Sequence, residues 1–335
     1  MDDLGPKLAE RVTHFSGVRV MVVGDLVADH YVLAEPARLS REAPVVVTRF
    51  ESEHLIPGGA ANAVRNLAAL GACVLPVGII GDDRDGHSLL ESLGERNIDT
   101  AGVIVADGHP TVTKTRFLVG EQQRTKQQIF RMDREPSGPP PASALERVLA
   151  FVEDHLSEVD ALLLSDYGYG VVTEAFVRRA LERSDRPHVS ADSRYAIRTF
   201  KGVDLATPNV HEVEAALGRP IGDDADLNGA GEWLLDELDA EGLIITRGNQ
   251  GMSLFRPGLP RVDIPATGVD EVTDVSGAGD TVIAVATLAC ASGADLLEAS
   301  LLANLAAGIV VTKVGPATCS PAEMREAAGA CLEGE

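Results

Sequence analysis

The sequence predicts an α/β protein: a mostly parallel central sheet with helices on both faces, carrying a small second β element. Two observations lead there. Short apolar segments rich in β-branched residues alternate with helical patterns, as strands joined by crossover helices require. Two other segments, about 31–57 and 109–133, alternate apolar and polar residues with no helix between them, which reads as an antiparallel appendage on the main sheet. The 335 residues are 45% hydrophobic and 24% charged, a composition able to build a sizeable core.

In chain order, residues 18–23 read as a buried strand closed by Gly24-Asp25. Residues 60–70 read as a helix with Val64, Leu67 and Leu70 on one face. Further strands are expected at 74–80, 161–165, 188–191, 204–207 and 243–246, and an apolar helix at 281–291. The proline-rich stretch at 136–141 reads as a stiff surface connection from the appendage back to the core.

Charge and cysteine usage narrow the function. With 51 acidic against 29 basic residues the net charge is −22, which argues against a nucleic-acid or anionic-membrane partner. The four cysteines form no Cys-x-x-Cys pair and suggest neither a zinc knuckle nor a disulfide scaffold. The N-terminus lacks the basic and apolar regions of a secretory signal, and no apolar run approaches a membrane span. A cytoplasmic protein is expected. One cluster opposes the acidic background: Lys114, Arg116, Arg124, Lys126, Arg131 and Arg134 against Glu121 and Asp133, net +4 over residues 114–134. Beside a ligand cleft such a patch favours an anionic substrate; a solvated strand face paired with acids is the plain alternative.

Several motifs sit where strands turn into helices. Asp274-Val275-Ser276-Gly277-Ala278-Gly279-Asp280 precedes the apolar helix. Three small residues leave backbone N–H groups open at its positive end, an anion site suited to a transferring phosphoryl group. Asp280 could act there as general base, or merely cap the helix. Gly58-Gly59-Ala60-Ala61-Asn62 allows close backbone approach and offers Asn62 to a sugar hydroxyl, or is simply a tight helix entry. Asp25 and Asp29 follow the first strand at the sheet's carboxyl edge, where vicinal hydroxyls could bond them. Asn209 and Glu212 suit hydrated Mg²⁺ and phosphate oxygens but equally form a capping box. Thr246-Arg247-Gly248-Asn249-Gln250-Gly251 fits a nucleotide contact or a hairpin turn. No P-loop, Rossmann glycine fingerprint or protein-kinase element is present.

In this order the motifs resemble the ribokinase family of sugar kinases, also called the phosphofructokinase B family, over roughly residues 18–325. Within it the likeness is to the subgroup of bacterial heptose 7-phosphate kinases, including those fused to a nucleotidyltransferase in ADP-heptose synthesis. That likeness rests on Arg38-Leu39-Ser40-Arg41-Glu42-Ala43-Pro44-Val45, Thr113-Lys114-Thr115-Arg116, Phe130-Arg131-Met132-Asp133, Leu164-Ser165-Asp166-Tyr167 and Thr207-Pro208-Asn209.

The resemblance implies a single ribokinase-like kinase domain over 1–335, a three-layer α/β/α sandwich with a β-sheet lid, and no nucleotidyltransferase domain. It implies phosphoryl transfer from ATP with Mg²⁺ to the anomeric hydroxyl of a heptose 7-phosphate. It assigns Asp280 as base and Gly277, Ala278 and Gly279 as the anion hole. Asp25, Asp29, Gly58, Gly59, Asn62, Lys114, Arg116, Arg131 and Asp166 would meet the sugar phosphate. Asn209, Thr246, Arg247, Gly248, Gly251, Gly279 and Asn304 would meet the nucleotide. Asn209 and Glu212 would serve Mg²⁺ through water or phosphate, and Asp274 and Ser276 a monovalent cation such as K⁺. A homodimer through the lid is expected.

The sequence departs from the subgroup at Tyr169, where a Lys is usual, at Ser193-Arg194, where Pro-Lys is usual, and around 122–128, where the lid carries extra residues. Those departures leave two rivals, a kinase of another sugar, sugar phosphate or nucleoside, and a non-catalytic sugar-binding regulator.

Overall fold

The computed structural model describes residues 4–96, 98–121, 126–183, 186–267 and 272–330. After helix α1 (Leu4–Thr13), the first sheet strand β1 (Arg19–Gly24) runs straight into β2 (Leu26–Leu39) and β3 (Val46–Gly59). Then come α2 (Ala60–Ala69), β4 (Cys73–Gly81), α3 (Arg84–Gly94), β5 (Val103–Ala106), β6 (Val112–Val119), β7 (Gln127–Arg134) and α4 (Ala142–His155). The middle of the chain adds β8 (Ala161–Asp166), α5 (Glu174–Leu181), β9 (His188–Ser193), β10 (Leu205–Ala206), α6 (Val210–Leu217) and α7 (Asp224–Leu238). The last part supplies β11 (Gly242–Thr246), β12 (Met252–Arg256), β13 (Leu259–Ile264), α8 (Ala278–Ala291), α9 (Leu296–Val311) and α10 (Pro321–Ala330).

Nine strands form the main sheet in the order β13-β12-β11-β10-β9-β8-β1-β4-β5. It is parallel from β11 to β5, and the β11–β12–β13 end is antiparallel. β1 shows why the strands read as unbroken apolar runs. Val20 and Val22 point into a core with α2, α8 and α9, while Met21 and Val23 point into another with α4 and α5. Both faces are covered, so both alternating sets must be apolar. The α8 helix is buried along nearly all its length, which explains its uniformly apolar sequence.

The four-stranded second sheet has the order β3-β2-β6-β7 and is the expected lid. It differs from the sequence reading in two respects. It starts at Leu26 rather than near 31, because Gly24-Asp25 ends β1 without breaking the chain's extended course. It is also mixed rather than antiparallel: β2 pairs with β3 and β6 with β7 in antiparallel fashion, but β2 and β6, joined through the core, run parallel. The four-residue strand β5 and helix α1 are additions to the elements expected from the sequence. Residues 122–125, part of the enlarged lid segment and including Arg124, lie outside the described residues.

Candidate active site

The carboxyl edge of the main sheet and one face of the lid converge on the start of α8. Gly277 caps that helix with φ 79°, left-handed geometry that favours glycine. A Cβ there would also overlap the Asn62 side-chain amide. Ala278 N–H donates to Val275 O (3.3 Å), while the N–H groups of Gly279 and Asp280 find no backbone acceptor among the described residues. Two open donors thus remain at the positive end of a fourteen-residue helix, an arrangement that stabilises anionic oxygen.

Asp280 does not cap the helix. Its buried carboxylate accepts from Asn62 Nδ2 (2.9 Å) on one oxygen and from Tyr167 Oη (2.6 Å) on the other. Burial raises its pKa from 3.8 to about 6; the two hydrogen bonds and Lys114 oppose that rise, and Asp29 adds to it. A carboxylate ionised at neutral pH, and disposed to hold a proton, has the properties of a general base. Asn62 is itself held from below. Arg65 Nη1 lies 3.5 Å from its Oδ1 and donates to Pro316 O (3.1 Å). A Cβ on Gly58 would overlap the Asp29 carboxylate, so Gly58 makes room for Asp29 as Gly277 does for Asn62.

The lid presents alternate residues to this site. The registers place Asp29 beside Lys114 and Tyr31 beside Arg116, with Arg131 directly opposite Arg116. Arg116 pairs with Asp29 at 2.5 Å. Lys114 Nζ lies 5.4 Å from the centre of the Tyr167 ring and 6.0 Å from that of Tyr169. The strand period divides the cationic cluster of the sequence. By register Lys114, Arg116 and Arg131 share one face, Arg131 pairing there with Asp133 (2.9 Å), whereas Arg134 turns to Asp85 (3.4 Å) and Lys126 to Glu51 (2.5 Å).

Two expected substrate residues are otherwise engaged. Asp25, whose pKa burial raises to about 6, accepts from the backbone N–H groups of Tyr167 (2.8 Å), Tyr169 (3.1 Å) and Val171 (3.2 Å). Asp166 accepts from Gly168 N–H (2.9 Å) and Ser193 Oγ (2.6 Å). Their carboxylates shape the loop after β8. Tyr169, in the usual Lys position, bonds Glu135 (2.8 Å).

On the far side of Asp280, a cavity of about 240 Å³ is lined by Thr246, Gly248, Gly251, Ala278, Gly279 and Asn304, with Val275, Val282 and Val311 as apolar walls. Its mixed lining suits a flat heterocycle ending at the helix-start donors. Arg247 departs from its expected role: its guanidinium turns to Ser253 (3.3 Å), Asp263 (3.2 Å) and Asp224 (3.4 Å) and braces the β12–β13 hairpin.

Asn209 and Glu212 form the reciprocal capping box of α6 (3.0 and 2.8 Å). Glu212 nonetheless faces half-buried Asp192, and both pKa values are raised, by desolvation first and, for Asp192, also by Glu212 and Asp280. Uncompensated acids of this kind fit a divalent cation held mainly by phosphate and water. Among the described residues no three acidic, His or Cys side chains form a closed metal cage. Asp274 accepts from Ser276 N–H (2.9 Å) and Gly315 N–H (3.1 Å), folding the loop before α8. Sequence reasoning gave no role to Tyr167, Asp192 or Arg65. Only the acid at 192, at a strand's carboxyl end, carried a signal that could have been read.

A doubly wound sheet with its chemistry at the carboxyl edge, a glycine-opened helix and a β lid define a class, and the sequence comparison agrees. The chain belongs to the pfkB family of carbohydrate kinases, whose profile matches residues 18–323. It is 42% identical to bifunctional protein HldE of Pseudomonas aeruginosa strain LESB58 over 93% of this chain and 64% of that protein. It is 38% identical to the HldE of Nitratiruptor sp. over 92% of this chain and 64% of that one. The chain thus spans less than two thirds of the length of these curated relatives. Phosphofructokinase-2 from Escherichia coli in complex with substrates and products superposes with a TM-score of 0.75 at 17% identity, covering 95% of this chain and 99% of that one. Ribokinase from Arabidopsis thaliana complexed with ribose and ATP gives 0.70 at 18% identity, covering 96% and 100%. Among the described residues no helix is long and apolar enough to cross a membrane.

Proposed function

We propose that this chain transfers the γ-phosphoryl group of ATP to the anomeric hydroxyl of a heptose 7-phosphate. The observation that carries the reading is the buried Asp280 carboxylate at the open start of α8, beneath a lid face that presents Lys114 and Arg116. The sugar lies between lid and sheet, with Asn62 and Asp29 toward its hydroxyls and Lys114, Arg116 and Arg131 toward its 7-phosphate. The nucleotide base occupies the cavity beside Asn304, with the γ-phosphate at the Gly279 and Asp280 N–H groups. Asp280 accepts the proton of the anomeric hydroxyl as that oxygen bonds to phosphorus and the bond to the ADP oxygen breaks. The helix-start donors hold the charge on the transferring group. Glu212, Asn209 and Asp192 would hold Mg²⁺ through phosphate and water, which would supply positive charge to the nucleotide phosphates, and the Asp274–Ser276 loop would hold K⁺.

The subgroup motifs and the 42% identity to a bifunctional HldE support the heptose acceptor. The lid also leaves Phe50, Ile129, Phe130 and Met132 about half exposed or more. We take these to be covered by the lid of a second copy, a homodimer that sedimentation velocity would reveal. The reaction itself is tested by ³¹P NMR after incubation with ATP, Mg²⁺ and heptose 7-phosphate. A new phosphate resonance coupled to the anomeric proton supports the reading; ADP formed without such a product contradicts it.

A further inference from the structure

Tyr167 closes one of the subgroup stretches but carried no role in the sequence reading, yet it touches both halves of the site. Its hydroxyl donates to Asp280 Oδ1 at 2.6 Å, and Lys114 of the lid lies over its ring at 5.4 Å. Its backbone is fixed as well, since its N–H is one of the three that Asp25 accepts. Each oxygen of Asp280 holds one donor, Tyr167 on Oδ1 and Asn62 on Oδ2. A carboxylate pinned at both oxygens keeps one orientation and one free lone pair on each. Removing Asn62 or Tyr167 frees it to turn.

We propose that Tyr167 is a positioning residue for phosphoryl transfer: its hydroxyl sets the angle of the Asp280 carboxylate, and its ring seats the lid's Lys114 over the acceptor. The inference rests on the reading of Asp280 as the base. One side chain then links lid and base, so the base is aligned where the lid is seated. The hydroxyl stays protonated throughout, as burial and Asp280 hold its pKa well above the ordinary phenol value. It therefore orients the base and does not compete for the proton. The other polar groups facing Asp280 are Asn62 from α2, Asp29 and Lys114 from the lid, and Asp192 from β9.

Two substitutions separate the two roles. Tyr167→Phe keeps the ring and removes the donor. It should lower kcat about tenfold with the KM for ATP unchanged, and melt within a few degrees of the parent. The ionised form of Asp280 loses a stabilising hydrogen bond, so the acid limb of kcat/KM should move to higher pH. Tyr167→Leu removes the ring too and should in addition raise the KM for the phosphorylated acceptor severalfold. Asp280→Asn is measured in parallel. If it is inactive while Tyr167→Phe keeps the parent kcat and acid limb, the positioning role is overturned. Equal acceptor KM values in the Phe and Leu variants overturn the seating role. Near-parent turnover by Asp280→Asn overturns the base assignment instead, a distinct outcome.

Discussion

Replacing Asp280 by Asn should switch off turnover and stabilise the fold together, and the structure sets both magnitudes. Loss of a general base costs about 10²- to 10⁴-fold in rate, equivalent to about 3–5 kcal/mol at the transition state. The stability term comes from burial, which raises the Asp280 pKa from 3.8 to about 6. The folded state therefore binds this proton more tightly than the unfolded chain does. The penalty is absent below about pH 4, grows as pH rises toward 6, and is complete at pH 7, where it amounts to about 3 kcal/mol. The amide oxygen can still accept from Tyr167, but its NH₂ then meets the Asn62 amide, and losing that hydrogen bond returns about 1 kcal/mol. A net gain of about 2 kcal/mol is expected at neutral pH, vanishing near pH 4. Coupled-enzyme assay of ADP release and thermal melts at pH 4 and 7 measure both effects. Turnover within tenfold of the parent, or a lower Tm at pH 7, would refute the reasoning.

Two other substitutions follow from the same geometry. Asp25→Ala leaves the N–H groups of Tyr167, Tyr169 and Val171 without their acceptor; a loss of about 3 kcal/mol in a denaturant titration is expected, with a fall in kcat because this loop carries Tyr167. Arg116→Met removes the partner of Asp29 and one cation of the inner lid face; the acceptor KM should rise about tenfold or more, while the KM for ATP stays put.

Which parts of this could be read from sequence follows from what each residue depends on. The strands of the main sheet were legible because burial on both faces forces continuous apolar runs, as in Val20–Val23 with its two cores. The lid was legible as alternation, but not its parallel β2–β6 pairing, which depends on where the chain returns from the core. Thr246, Gly248, Gly251, Gly279 and Asn304 line one cavity, as the motif order implies. Asp25 and Asp166 hold internal hydrogen bonds that the sequence did not show, for a physical reason. An acid at a strand's carboxyl end looks the same whether it faces a ligand or a backbone N–H more than a hundred residues away in sequence, as Asp25 does. Tyr167 gave no signal of its own, because the hydroxyl's partner lies 113 positions further on. Arg247 sits in the glycine-turn motif, but its long side chain reaches Asp263 on β13 and Asp224 on α7, partners that sequence spacing does not reveal.

The acceptor is the point on which the whole account turns. ADP release with ATP and Mg²⁺ should be followed against heptose 7-phosphate, fructose 6-phosphate, ribose and adenosine at equal concentration. The account predicts turnover selective for heptose 7-phosphate, with the unphosphorylated acceptors far behind. Preferred turnover of ribose or adenosine, or silence with every phosphorylated sugar, would contradict it.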